Sequence, residues 1–476
     1  MADTRDHQVN TPDIEDQDRK IIKPKWYRST FYNALILGLC NFLAPGIWGA
    51  MNSLGAGGAQ TPSLVNAGNA LTFCLMVVTC FFTSVIVRRI GIKWTLILGT
   101  VGYTFYAAGL YTNNRFGNKW FVLLGAALCG LSAGMFWSAE AAVALGYPEP
   151  YNQGRFLGYW LSFRLGGQII GGAVNLGLNV HNNQAGKVSY AVYLVFIVLQ
   201  ALAPFAGLLL NNPWEVQRTD GLPVNLTVSE KSSTELKLVI KLFFSKNFLL
   251  TVPLIAQAVY SESVMFTYQS LWFSVRARAL GSFLSGVVAI ISGNILGAYL
   301  DHTKFKLKTR ARWAFFVILG LQGCWWIWMT VIVTDYHKTQ PTFDWVDDGF
   351  GRGFALFLFL VIGFQLQYMF LYFVCGNIAD SQAEVIRISS LLRGTESAAQ
   401  AVSYGLNSID IFAQVGGTYI NFGLWGLCLL PAWLVVKEIG VSLGDRKLER
   451  EKKGVVDANE GASFRSSEGL EERKEL

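Results

Sequence analysis

Charge is scarce in this sequence. Asp, Glu, Lys and Arg make up 15% of its 476 residues, where a soluble domain carries about a quarter. Histidine is scarcer still. The four present (His7, His181, His302 and His337) lie outside the apolar runs and far apart in sequence, so no metal site is expected. The seven cysteines (Cys40, Cys74, Cys80, Cys129, Cys324, Cys375 and Cys428) sit singly inside apolar runs. None forms a CxxC pair, so no disulfide framework is implied, and their expected role is small, polarisable filler between helices. A phosphate-cradling loop is missing as well: LGAGGAQ at 54–60 has the glycines but no lysine. With no nucleophile–base constellation either, an enzyme is not expected, and neither is a cofactor. The first 30 residues are polar and mixed in charge and lack the apolar core of a secretory signal. The tail from Gly444 is equally polar and is expected to be disordered.

What the chain has instead is length in its apolar runs. YAVYLVFIVLQALAPFAGLLL, residues 190–210, matches the roughly 20 residues that cross a bilayer as a helix. Twelve such spans can be drawn, near 31–53, 64–87, 94–112, 120–146, 156–180, 190–210, 247–273, 280–300, 313–334, 353–379, 395–418 and 420–440. The expected fold is therefore an all-α polytopic membrane protein with twelve transmembrane helices. Only the segment 211–246 is a long connection. It divides the chain into an N-terminal arm (1–30), a first six-helix bundle (31–210), a central loop (211–246), a second six-helix bundle (247–440) and a tail (441–476).

Sidedness follows from the basic residues. If both termini are cytosolic, 31 of the 39 Lys and Arg fall on the cytosolic side and seven outside, with Arg164 inside a span. The positive-inside rule selects that orientation. The net charge of +7 then reads as a topology signal, and no nucleic-acid partner is expected. The loop DHTKFKLKTRARW (301–313) reads as a stop-transfer anchor, with contact to anionic membrane lipid as the alternative. The sequon Asn225-Leu-Thr227 falls in the cytosolic central loop and should be unused. The terminal KEL, on the same side, cannot serve as a lumenal retention signal.

Span 2 ends SVIVRRIGIKW (84–94) and span 8 ends GAYLDHTKFKLKTRARW (297–313). Each gives a small residue, apolar residues, a charged pair, a basic loop and then a tryptophan opening the next span. Internal duplication of six-helix halves is the logic of many secondary transporters. The pattern resembles the major facilitator superfamily, whose hallmark after span 2 is G-x-x-x-D-R-x-G-R-R. Arg89, Gly91 and Lys93 keep it, while Ser84 and Arg88 replace the glycine and the acid. The second copy keeps Gly297 and Asp301. The resemblance implies that Arg88, Arg89, Gly91, Lys93, Gly297 and Asp301 belong to gating loops. It also puts in doubt the latch that the acid helps to form. More narrowly, NFLAPGIWGAMNSLGAGG (41–58) and GMFWSAEAAVALGYPEPYNQGRFLGYWLSFRLGGQIIGG (134–172) resemble the Unc-ninety-three-like branch in its fungal-type form. That branch implies two pseudo-symmetric bundles but no substrate, since some of its members act as regulators or trafficking partners.

The polar residues fall unevenly. Spans 3, 6, 9 and 12 carry almost no ionisable side chain in mid-membrane and should face lipid. In span 11, Glu396, Gln400, Ser403, Asn407, Asp410 and Gln414 recur at +4, +3, +4, +3, +4, one stripe on one helix face. Span 5 shows Arg164, Gln168, Gly171, Asn175 and Asn179 at similar spacing. Such faces line a water-filled cavity or glue helices together. Span 1 adds Asn41, Pro45, Gly49 and Asn52, span 7 adds Pro253, Gln257, Ser261 and Glu262, and span 10 adds Gln365, Gln367, Tyr368 and Tyr372. The cavity candidates are accordingly Asn41, Asn52, Gln168, Asn175, Gln257, Gln365, Gln400 and Asn407.

Charges within spans are functional candidates by default. Glu140 and Arg164 lie at similar depths, roughly 10 and 13 Å from the same end, on consecutive antiparallel helices, so an ion pair between them is expected. That pair reads equally as a fixed brace or as one that a solute or proton displaces. Asp410, about 15 residues into span 11 with no basic neighbour, is the leading lone proton site, with Glu262 next. Glu396, opening span 11, suits a helix N-terminus. Two functions fit: a secondary transporter, proton-coupled, moving a small solute by alternating access, or a non-transporting adaptor that escorts or regulates a membrane-protein partner.

Overall fold

The computed structural model describes residues 24–54, 62–148, 153–181, 187–219, 221, 224, 232–300, 302, 304–378 and 382–444. Among these residues the chain is helical, with isolated bridge pairs but no extended strand. Helix α1 covers Thr30–Asn52. A single run, Pro62–Phe116, holds α2 (62–90) and α3 (92–116), divided at Gly91. Then come α4 (Trp120–Gly146), α5 (Gln153–Asn179) and α6 (Tyr190–Leu208). A linker helix, Ser232–Phe243, precedes the second set. That set is α7 (Lys246–Trp272), α8 (Val275–Leu300), α9 (Leu307–Thr339), α10 (Phe350–Ile378), α11 (Gln382–Asn407) and α12 (Phe412–Val436).

By length and composition, nine of these segments could cross a membrane on the described residues alone. The segments outside that count are α3, α5 and α11. The last two carry the polar stripes, so they cannot face hydrocarbon and must be covered by other helices. The peripheral helices show the opposite pattern. In α12 only 28% of the most apolar stretch is buried, against 72% in α1 and α7. Phe205 on α6, Trp313 on α9 and Leu427 and Leu430 on α12 are all exposed, as side chains in contact with lipid should be. One large apolar core fills the first six helices and two fill the last six, with few residues shared across.

Local sequence explains the joints. Ser29 caps α1 by accepting the Tyr32 N–H at 3.1 Å, and Ser245 caps α7 through Phe248 N–H at 3.4 Å, each satisfying a donor the helix leaves open. Gly91 adopts φ 80°, ψ 161°, a region essentially reserved for glycine, and this turns one helix into two. Pro45 cannot donate its backbone bond, and α1 widens there into a π-turn, Phe42–Gly46.

The drawn boundary of the eleventh span needs correction. Helix α11 begins at Gln382 and ends at Asn407, thirteen residues earlier at its start than the apolar run indicated. The charged stretch before Glu396 reads as loop by hydropathy but is helix. Asp410 and Gln414 therefore do not continue the stripe: they belong to the start of α12, beyond the turn at Ser408 and Ile409.

Arg88, Arg89 and the turn between α8 and α9 mark one end of the bundle, called here the basic end. Hydrogen bonds between the two halves collect at the opposite, far end. Ser53 and Ser282 hydroxyls are 2.8 Å apart. Asn175 donates to Ser282 at 3.1 Å, Gln168 to Ser285 at 3.0 Å, and Asn66 to Thr267 at 3.1 Å and to the Asn407 carbonyl at 2.9 Å. Here α5 and α8 meet backbone to backbone: a methyl group on Gly172 would stand 2.5 Å from the Phe283 Cα.

Candidate functional site

Between the halves lies a cavity of about 90 Å³, room for several water molecules. Helices α1, α2, α4, α5, α7, α8, α10 and α11 supply its wall, with Tyr103 reaching in from α3. Four ionisable side chains line it: Arg164, Glu262, Arg393 and Glu396.

Arg164 is placed by glycines. Gly46, at the π-turn of α1, packs so closely on α5 that a methyl group there would meet the Arg164 carbonyl at 2.8 Å, and one on Gly167 would meet the Phe42 carbonyl at 2.5 Å. The side chain then extends over α4, its guanidinium 4.9 Å from the Trp137 ring centre and 5.8 Å from that of Tyr368. The expected ion pair with Glu140 is thus corrected. The depths do match, since Trp137 is three residues before Glu140, but the cation turns to the aromatic faces. Glu140 is fully buried behind the wall, within electrostatic reach of Cys40 and Tyr103.

From the other half, Arg393 reaches the same place. Its guanidinium lies 4.2 Å from the Trp137 ring centre and 5.2 Å from that of Tyr372. It donates to the Tyr368 hydroxyl and, at 3.1 Å, to Glu396. Tyr372 donates to the same carboxylate oxygen at 3.4 Å. Glu396 therefore does not open a helix, as its apolar context implied. It sits in mid-helix, 2% exposed, bound to an arginine one turn earlier.

Glu262 completes the set. Gln400 donates to its Oε2 at 2.6 Å. Below that contact, Ser403 donates to the Tyr260 carbonyl at 2.7 Å and Asn407 to Ser263 at 3.0 Å. So the stripe Glu396, Gln400, Ser403, Asn407 is one face that lines the cavity at one end and staples α11 to α7 at the other. Both readings of a polar stripe hold, on successive turns.

The remaining sequence candidates divide in the same way. Gln168, Gln365 and Gln400 line the cavity. Asn41, Asn52, Asn175, Gln257 and Asn407 do not. Asn52 accepts from Asn69 at 2.8 Å, Gln257 accepts from Gln367, Asn175 and Asn407 serve the far-end contacts, and Asn41 is buried in the core of α1. Asp410 is exposed and is no buried proton site. It was misplaced with the boundary of α11. Among the gating candidates, Arg88 and Arg89 are exposed, Lys93 is half-buried, and Gly297 faces Met369 of α10. Asp301 and the Asn225-Leu-Thr227 sequon lie outside the described residues. Arg393 and Trp137 were missed. The signal for Arg393 was its three-residue spacing to Glu396, and for Trp137 the same spacing to Glu140.

Two sets of helices around a central polar cavity have counterparts among solved structures. A D-xylose–proton symporter superposes with a TM-score of 0.59 at 12% identity, covering 86% of this chain and 98% of that one. A POT family transporter in complex with 5-aminolevulinic acid gives 0.58 at 14% identity, over 86% and 96%. At such identities the likeness concerns the fold. The sequence itself decides the family: residues 29–394 match the profile of the Major Facilitator Superfamily. The chain belongs to the major facilitator superfamily. Its relatives include UNC93-like proteins. An UNC93-like protein of Schizosaccharomyces pombe is 27% identical over 86% of this chain and 82% of its own length, and UNC93-like protein 1 of Arabidopsis thaliana is 26% identical over 88% and 94%. A protein of Aspergillus versicolor called Notoamide biosynthesis cluster protein O' is 40% identical over 88% of this chain and 91% of its own. The cavity is walled by helices of both halves, with no contribution from α6, α9 or α12 among the described residues.

Proposed function

We propose that this protein is a secondary active transporter that carries a small solute through the central cavity by alternating access, with proton coupling at Glu262. One observation carries the reading: ionisable and amide side chains from both halves converge on a single space, Arg164 and Gln168 from one half, Glu262, Arg393, Glu396 and Gln400 from the other. A static adaptor gains nothing from solvated charge at the interface of its halves, whereas a carrier needs groups that both halves can present to one solute. Glu262 is the coupling candidate because its hydrogen bond to Gln400 is neutral and can be kept by a protonated carboxyl, while Glu396 is tied to Arg393. Both termini and the basic end face the cytosol on this reading, from the placement of 31 of the 39 Lys and Arg. The far-end hydrogen bonds then close the outer gate.

The test uses a background without the native cysteines, with single cysteines at Gln365 and Gln400 labelled by a membrane-impermeant thiol reagent from each side in turn. Alternating access requires both sites to react from both sides. Reaction from one side only, in folded protein, would favour the second reading, a non-transporting adaptor. That alternative draws on Arg88, exposed where the family hallmark has an acid, and it requires a partner that co-purifies in fixed ratio.

A further inference from the structure

We infer that the cavity recognises a small planar organic carboxylate, its carboxylate held by Arg164 and its ring laid against Trp137 and Tyr368. This rests on the reading that the cavity takes a solute, and it names the solute's class.

Three of the four ionisable groups are already engaged with protein. Arg393 donates to Glu396 at 3.1 Å and to the Tyr368 hydroxyl, and Glu262 accepts from Gln400 at 2.6 Å. Arg164 differs. Among the described residues it has no hydrogen-bond or ion-pair partner, and its contacts are the ring faces of Trp137 and Tyr368, 4.9 and 5.8 Å away. Stacking uses the face of a guanidinium and leaves its N–H donors unspent. Those donors form a rigid fork that fits a carboxylate with two parallel bonds.

The sign of the solute follows from the charges around it. Arg164 and Arg393 both lie over Trp137, so two cations converge on one ring, and Glu396 is committed to one of them. A cationic solute would meet both. A neutral one could accept from Arg164 but would supply neither the charge nor the paired oxygens of a bidentate contact. Of the two lining arginines, Arg393 is bonded to Glu396 and Arg164 to no carboxylate among the described residues, and a monocarboxylate supplies one. The shape of the solute follows from the wall: Phe73, Tyr103, Trp137, Phe364 and Tyr368 all line the space, offering flat apolar faces to a planar body. A second acidic group would find no second free cation among the described lining residues.

The full chain in lipid nanodiscs tests this with benzoate as probe, benzamide as its neutral counterpart and benzylammonium as its cationic one. A ligand that binds the folded state raises the apparent melting temperature in proportion to its occupancy. Millimolar benzoate should raise it by several degrees, and the other two should not. Arg164→Gln should abolish the response. Should that variant fail to fold, Arg164→Lys keeps the charge without the fork and should need about tenfold more benzoate for the same shift. No shift with benzoate, an equal shift with benzamide, or an undiminished shift in a folded Arg164 variant overturns the assignment. The labelling at Gln365→Cys separates the two readings: two-sided labelling without a benzoate response removes the carboxylate and leaves the transporter, whereas one-sided labelling with a response leaves a binding site that does not transport.

Discussion

Arg164 and Arg393, from opposite halves of the chain, both lie over the ring of Trp137, 4.9 and 4.2 Å from its centre. The ring belongs to the same half as Arg164, so Arg393 is the side chain that crosses. A tryptophan face attracts cations through its quadrupole, and here it holds two that would otherwise repel. Parting the halves at this depth must lift Arg393 from that ring and Arg164 from the ring of Tyr368.

Replacing Trp137 should therefore cost more than its packing. Each cation–ring contact is worth about 0.5–2 kcal/mol, and Trp137→Leu loses both. Thermal or denaturant unfolding in detergent should show a loss of about 1–4 kcal/mol on top of the packing lost, with Trp137→Phe falling between the variant and the parent. Equal stability of Trp137→Leu and the parent would show that the contacts carry no energy.

The far-end contacts make a second prediction. Ser282 bonds to Ser53, to Asn175 and, at 3.0 Å, to the Ala50 carbonyl. At about 1 kcal/mol net for each bond, Ser282→Ala should shift the balance towards the form open at that end roughly tenfold or more. The reporter is the labelling rate of Gln365→Cys from the far-end side, which should rise. An unchanged rate would mean that the backbone contact of α5 with α8 closes this end unaided.

Gly91 supplies a third. Its φ of 80° with ψ 161° is strained for any side chain even though nothing lies within 4 Å of where a Cβ would stand. Gly91→Ala should lower stability by about 1–3 kcal/mol through the backbone alone, as a drop in melting temperature. An alanine variant as stable as the parent would show that the joint between α2 and α3 can relax.

Asp344, in the connection between α9 and α10, gives a pH dependence. The Arg276 guanidinium beside it, helped by the Ser274 hydroxyl at 2.5 Å, holds its carboxyl below the ordinary carboxylate range. A lowered folded pKa means that the contribution to stability is complete above the unfolded value, about 4, and is lost as pH falls through the lower folded value. Asp344→Asn should be less stable than the parent at neutral pH, with the difference shrinking below about pH 4. Melting curves from pH 3 to 7 check it, and a gap that does not narrow on acidification would rule out the ionised clamp.

Much of this fold was legible in the sequence because hydrocarbon is an unforgiving solvent: any run that must face it is apolar, and any polar stripe must be covered. That logic located α5 and α11 at the centre and α12 at the edge. It failed where charge is satisfied inside the protein. Arg393 and Glu396 neutralise each other within one helical turn, so a hydropathy reading took their helix for a loop and moved its start to Glu396. Asp410 was then carried into the membrane by the same shift. Helix period could say that Gln168, Asn175, Gln400 and Asn407 share faces, but not where along each face the cavity ends and the contact with a neighbouring helix begins. That division depends on how closely glycines such as Gly172 let the backbones approach. Partner choice was equally out of reach, since matching depth made Glu140 a reasonable mate for Arg164 while a tryptophan one turn away was the actual one.

The side chains that join the halves at the far end, Ser53, Asn66, Gln168, Asn175, Thr267, Ser282 and Ser285, are all uncharged. Parting them carries no formal charge through the membrane field. A potential works on displaced charge at about 2.3 kcal/mol per elementary charge per 100 mV, so it has nothing to pull on there. The charge nearest to them is Arg278, buried on α8 one turn before Ser282. On the proposed transport cycle, voltage dependence would come from Arg278 and from the cavity, where Arg164, Glu262, Arg393 and Glu396 sit.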